Sequence, residues 1–190
     1  WLAEAIKFLS AHLGFVIVGL LAAAFPYIVM TGMHHALTPI GLNAVATGGD
    51  TLIFVSQVCS NVAQGGAALA VAVRSRQKNM KQLGSATGIS ALMGITEPAL
   101  YGVTLRLKRP MLGACIGGAV GGLVGGFFQM KCFGIATPAI VTIVQYVEKG
   151  KPQTLLFAAL TILVTVVVTF VATLIIGFED IVDEIGRAHV

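Results

Sequence analysis

Acidic residues are scarce in this sequence. Asp and Glu together number 8 in 190 residues, against 12 Lys and Arg. Charged residues make up only 11% of the chain, where a soluble domain carries about 25%. A chain that is 56% hydrophobic and this poor in charge cannot cover a water-facing surface. That argues against a soluble all-helical domain and for a membrane protein. The formal charge of +4 then speaks to orientation in a bilayer and not to nucleic acid. Cysteine is also scarce: Cys59, Cys115 and Cys132 lie in largely apolar stretches and have no Cys-x-x-Cys spacing. An odd number of such thiols argues against a disulfide framework or a metal site, and inert small hydrophobes are the expected role. No cofactor is expected.

Both ends read as cut. The opening 1–12 resembles the end of a preceding amphipathic helix, and no signal peptide is present. The closing 184–190 resembles the translated start of a sequencing adapter and is set aside from the fold. The expectation is therefore an internal piece of a longer polypeptide. It comprises one unit over 1–180 and a tail over 181–190.

A membrane-crossing helix needs roughly 20 apolar residues. The segments 111–130 and 154–177 qualify, and 13–30 does so with Pro26 inside it, where a kink is expected. The segment 58–73 is weaker, interrupted by Asn61, Gln64, Gly65 and Gly66. Two further stretches, 32–54 and 86–105, are hydrophobic but broken by glycine and proline. The basic residues Arg74, Arg76, Lys78 and Lys81 flank one side of 86–105, and Arg106, Lys108 and Arg109 flank the other. The positive-inside rule assigns both clusters to the cytoplasm, so 86–105 must enter and leave on one side. Irregular backbone inside a membrane is tolerated where it is buried in protein or lines a cavity. The expected fold is all-α, with about four transmembrane helices and two re-entrant hairpins. In this topology 13–30 runs outward, 32–54 dips in from outside, 58–73 returns inward, 111–130 runs out and 154–177 comes back. The segment 132–147 is expected to be a short buried or interfacial stretch. In 111–130, Gly113, Gly117, Gly121 and Gly125 recur every fourth residue, with Gly118, Gly122 and Gly126 beside them. This is a surface for close helix approach.

Between Ala5 and Val147 the only acids are Asp50 and Glu97. An ionisable residue inside a membrane points to function by default. Glu97 precedes Pro98, which disfavours helical geometry at Glu97 and suits the first turn of a helix. Glu97 is thus expected to cap a half-helix beginning at Pro98, whose positive end would steady the carboxylate, with the Thr96 hydroxyl beside it. In the other broken stretch, Gly32 precedes His34 and His35, and Pro39 restarts the helix. Adjacent histidines point in different directions, so at most one is expected to face a cavity. Asp50 is expected in an outer turn. Asn43, Gln57, Asn61 and Gln64 are uncharged hydrogen-bonders, each alone commoner in helix packing than in a ligand site. Two broken segments in a transporter-like chain point to a substrate site. Their neutral or weakly charged groups suit a polyhydroxy ligand better than an ion.

The stretch "GITEPALYGVTLRLKRP" closely resembles the signature of enzyme IIC, the membrane subunit of bacterial sugar phosphotransferase systems. "GMHHALTPIGLN" and "IIGFED" resemble its histidine-bearing segment and its close. The resemblance covers 1–180, about the C-terminal half of such a domain, and is nearest the β-glucoside branch, with sucrose and trehalose relatives close by. It implies a multi-pass permease of the bacterial cytoplasmic membrane, bathed in lipid, that imports a glucosyl sugar while its 6-hydroxyl is phosphorylated. Glu97 and His34 would bind the sugar near that hydroxyl, with Glu97 orienting or deprotonating it. Thr96, Asn43 and, with less weight, His35 would assist. The phosphoryl donor in the family is a phosphocysteine on a IIB domain, charged through IIA. None of the three cysteines here is followed by a basic stretch to hold a phosphate. A IIB domain, fused or separate, must supply it, and Arg74, Arg76, Lys78, Lys81, Arg106, Lys108 and Arg109 form its expected docking face. The family's dimerising half falls outside this sequence, and a homodimer is expected of the full-length protein. The competing reading is an ion-coupled secondary sugar transporter using Glu97, distinguished by the absence of phosphorylated sugar inside cells.

Overall fold

The computed structural model describes residues 14–180. The helix-end reading of 1–12 and the tail over 181–190 lie outside the described residues. The chain forms α1 (Val16–Met30), α2 (His34–Ala46), α3 (Ile53–Arg74), α4 (Lys78–Leu92), α5 (97–107), α6 (Arg109–Phe127) and α7 (Gln153–Ile176). Helix α5 is a composite: Glu97–Ala99, a π-helical turn at Leu100–Thr104, and Leu105–Leu107. The all-α expectation holds, and no sheet forms among the described residues.

Helix α3 is the centre of the bundle, buried along nearly its whole length. Helices α1, α4, α6 and α7 pack around it. The glycines of α6 set how close two of these helices come. A Cβ on Gly113, Gly117 or Gly121 would collide with Thr173, Thr169 or Thr165 of α7. One on Gly118 or Gly122 would meet the backbone of Ala22 or Val18 in α1, and one on Gly126 that of Phe15 just before it. Helix α6 therefore has two glycine faces, one for each antiparallel neighbour. The α7 threonines turn their hydroxyls back into their own helix, Thr165 to Thr161 O at 2.6 Å and Thr169 to Thr165 O at 2.7 Å. The Thr165 and Thr169 hydroxyls are thereby satisfied, whereas the Thr173 hydroxyl is buried without a partner.

The two basic clusters meet at one end of the bundle. The Arg74 guanidinium donates to the Leu174 carbonyl. The Ser75 hydroxyl and the Arg76 amide both donate to the Asp180 carboxylate, at 2.6 and 2.8 Å. Arg109 lies 3.9 Å from Glu179. The segment between the clusters is a helical hairpin, α4 leading in and α5 leading out. Its bounds are wider than the expected 86–105. Gly84 and Gly88 let α4 lie directly on α3 beside Ala72 and Leu69.

At the far end, Asp50 and Cys132 exchange backbone hydrogen bonds of 2.8 and 2.7 Å. The Asp50 carboxylate accepts the Phe54 amide at 2.6 Å, in the first turn of α3. Burial pushes this carboxyl above its usual range, and backbone amides from Leu52 to Val55 oppose the shift. Asp50 thus sits in a turn, as expected, with a structural task.

One expectation changes, and two more are met only in part. Helix α1 runs antiparallel to α6 from the far end toward the basic end, opposite to the direction expected for 13–30. It is the first arm of a hairpin whose turn lies at 31–33 and whose second arm is α2, so the hairpin is not 32–54 alone. The segment 13–30 carries no charge, and its direction followed only from assuming that each apolar run crosses. Second, two described helices, α6 and α7, are long and apolar enough to cross a membrane, against about four expected. Helix α3 has the length, but Ser56, Gln57, Ser60, Asn61 and Gln64 interrupt its apolar character. Third, 132–147 is a largely irregular loop with a single 3-10 turn at Ile143–Tyr146, pinned where the Tyr146 hydroxyl donates to Phe54 O at 3.1 Å.

Candidate functional site

The two hairpins enter from opposite ends, and their turns face one cavity of about 600 Å3. This falls within the ~300–1,000 Å3 of small-molecule sites. The first hairpin contributes Val29, His34, His35, Thr38 and Leu42; α3 contributes Phe54, Gln57 and Asn61. The second turn contributes Gly94, Ile95, Thr96 and Glu97, and the irregular loop contributes Ile135 to Pro138.

The second turn is built by local rules. Helix α4 ends at Leu92, and Gly94 adopts φ +96°, a left-handed conformation that glycine takes without strain,. The Ile95 amide then donates to Ser90 O at 3.0 Å, and the Leu100 amide to Thr96 O at 2.8 Å. Thr96, not Glu97, occupies the cap position, and Glu97 and Pro98 lie in the first turn. This corrects the expected capping role of Glu97. Amides in a first turn have no intrahelical partner, so Pro98 costs no hydrogen bond there and Glu97 can take helical geometry. The Glu97 carboxylate makes no hydrogen bond or ion pair with any described residue, while Thr96 is buried at 7% exposure.

His34 and His35 open α2, and both line the cavity, their ring centroids 4.0 Å apart and tilted by 37°. The expectation that only one would face it fails because the cavity wraps around the start of the helix. Pro39 lies inside α2 and does not restart it. Its missing N–H leaves the His35 carbonyl without a helical partner. The Nδ1 atom of His34 is buried with no hydrogen-bond partner, and His34 lies close enough to Glu97 to feel its charge. The buried His34 nitrogen without a partner is hydrogen-bonding capacity at the cavity, and the exposed Glu97 carboxylate lines the same cavity.

Asn43 is exposed on α2 and is not brought to the cavity. Arg74, Arg76, Lys78, Lys81, Arg106, Lys108 and Arg109 do not line it either; they flank the α4–α5 hairpin at the basic end. Thr38 and the loop over 135–138 were not anticipated. Gln57 and Asn61, four apart on α3, also line the cavity, although each alone is commoner in helix packing than in a ligand site. Spacing on one helical face was their available signal, and the Thr137–Pro138 break was that of the loop.

Residues 1–118 match the family model described as Phosphotransferase system, EIIC. The chain is 36% identical over 195 residues to the arbutin-, cellobiose- and salicin-specific EIIBC component of Escherichia coli K12, covering 100% of this chain and 40% of that protein. It is 37% identical over 188 residues to the beta-glucoside-specific EIIBCA component of Bacillus subtilis 168, covering 95% of this chain and 29% of that one. It is 40% identical over 148 residues to the sucrose-specific EIIBC component of Staphylococcus xylosus, covering 74% and 30%. The chain thus spans less than half the length of these relatives. No solved structure matches it. Together with a cavity joining the Gly-Ile-Thr-Glu-Pro turn to the histidine-bearing helix, these matches place the chain in the EIIC family of the sugar phosphotransferase system.

Proposed function

We propose that the chain is the substrate-binding, transport part of a phosphotransferase-system sugar permease of the bacterial cytoplasmic membrane. Its sugar would be a glucoside: β-glucoside first, sucrose or trehalose next. The observation that carries this reading is the meeting of Glu97 and His34, whose buried Nδ1 has no partner, at one cavity of sugar-site size.

In this reading the sugar lies between the hairpin turns with its 6-hydroxyl toward Glu97, while Thr96, His34 and His35 hold neighbouring hydroxyls. The hydroxyl oxygen attacks the phosphorus of a phosphocysteine on a IIB domain. The sulfur–phosphorus bond breaks, the thiolate leaves, and Glu97 accepts the hydroxyl proton as general base. The donor is not in this chain, since Cys59 and Cys132 are buried and Cys115 packs beside Tyr27. The names EIIBC and EIIBCA of the relatives support IIB and IIA as partners. The IIB domain would approach at the basic end, where Arg76, Lys78 and Lys81 are exposed.

The test uses the full-length transporter in cells lacking their own sugar systems, given labelled salicin, sucrose or trehalose. One sugar should accumulate as its phosphate, and Glu97→Gln should lower that rate by about 10^2- to 10^4-fold. Entry of unphosphorylated sugar, or indifference to Glu97→Gln, would overturn the reading.

A further inference from the structure

We infer that the loop over 135–138 is a specificity-determining wall of the cavity, selecting what the glucosyl ring is attached to, and that Asn61 is its positioning residue. This rests on the sugar-site reading above and assigns the other side of that site.

Two faces of the cavity carry the polar groups that a glucose ring needs: Glu97 and Thr96 on the second hairpin, His34 and His35 on the first. All candidate substrates share that ring, so these groups cannot tell one from another. The loop contributes Ile135, 77% exposed, with Ala136 and Thr137, which are also exposed. An apolar side chain presented to a cavity without being buried by its own protein gains most when a ligand covers it. The chemistry that fits is an apolar or aryl substituent on the anomeric carbon. A second sugar ring, which exposes hydroxyls, gains less.

The loop has no regular structure to hold it, so its position depends on tethers. The Asn61 side-chain amide, itself 4% exposed, donates to the Pro138 carbonyl at 2.8 Å. The Ile140 amide donates to Leu92 O at 3.1 Å. Thr142 closes the loop on itself, donating to Thr137 O at 2.8 Å and accepting from the Ala139 amide at 3.0 Å. Gly94 completes the seat: a Cβ there would lie 2.8 Å from Thr137 Cγ2 and 3.4 Å from Pro138 O. The loop therefore rests on the same turn that carries Glu97, and Asn61 links it to the central helix. Among these tethers the Asn61 bond is the one made by a side chain from outside both the loop and the turn.

The experiment measures phosphorylation rate against concentration for two sugars that the full-length transporter handles: an aryl β-glucoside such as salicin, and sucrose or cellobiose. Ile135→Ser changes an exposed residue that carries no packing, so the protein should fold. It should raise KM for the aryl glucoside about tenfold, the usual worth of one apolar pocket contact. KM for the disaccharide, and kcat for both, should move much less. Asn61→Ala should raise KM in the same direction by releasing the wall. Glu97→Gln, run alongside, reports on the site itself. If Glu97→Gln abolishes phosphorylation but Ile135→Ser shifts both sugars equally or neither, the wall assignment is overturned and the sugar site stands. If Glu97→Gln is indifferent, both fall together.

Discussion

Gly117 of α6 lies directly beneath Thr169 of α7, with no room for a methyl group between them. The same relation recurs one turn away on each side, at Gly113 with Thr173 and Gly121 with Thr165. Lipid offers no hydrophobic drive to bring helices together, so shape must do it. Gly117→Ala is therefore expected to destabilise the bundle by about 1–3 kcal/mol through overpacking, read as a lower midpoint of thermal unfolding in detergent. Gly102→Ala is the control, because its nearest neighbour is Leu83 at an ordinary 3.6 Å. An equal loss at both positions would show that the seam is not what limits stability.

His34 and Asn43 both belong to the histidine-bearing stretch, yet only His34 reaches the cavity. His34→Ala should raise KM for the transported sugar by roughly 10- to 100-fold, the worth of one or two buried hydrogen bonds. Asn43→Ala should leave KM where it was. Concentration dependence of sugar phosphorylation measures both, and a larger effect at Asn43 would refute the cavity assignment.

At the basic end the side chains divide by task. Arg74 holds the end of α7 through Leu174 and Arg109 lies near Glu179 just beyond it, whereas the side chains of Arg76, Lys78 and Lys81 make no bond to a described residue. Reversing these three to Glu should slow phosphotransfer from IIB by about tenfold or more at low salt, and raising ionic strength should shrink the difference, as steering between exposed charges requires. Sugar binding should be preserved. Wild-type phosphotransfer in the triple variant would exclude this face as the docking site.

Cys132 is fully buried, and burial pushes its thiol up to about 11. At pH 8 it stays protonated, and only the thiolate is a good nucleophile. Maleimide should leave Cys132 unlabelled in the folded protein and modify it after denaturation in detergent, as mass spectrometry would show. Rapid labelling of the native protein would mean that the far-end pairing of Asp50 with Cys132 is open in solution.

What the sequence disclosed follows from rarity. Glu97 stood out because one of only two acids in the interior of the chain sits before a proline, and the basic clusters stood out because charge is scarce. The α6 glycines were legible from their spacing, though not which helix each face would meet. The first hairpin was hidden because α1 is apolar and close to spanning length, and apolarity alone carries no direction. The loop over 135–138 was hidden for a different reason. It has neither period nor charge, and its place is set by tethers to Asn61, Leu92 and Gly94, partners far away in the chain. A single polar residue in an apolar helix, such as Asn61, looks the same whether it bonds a neighbouring helix or braces a wall.

The bond from Asn61 to Pro138 joins residues 77 positions apart, and this has a consequence for biosynthesis. A ribosome adding ~5–20 residues per second takes roughly 4–15 s to cover that interval. During that interval the rest of α3, the second hairpin and α6 are added in turn, while the Asn61 amide has no acceptor and the pocket lacks its loop wall. Assembly of the binding site is thus a late event in translation, completed only when the segment after α6 has emerged. A nascent chain halted at the end of α6 would hold Glu97 and His34 and still lack the surface that tells one glucoside from another.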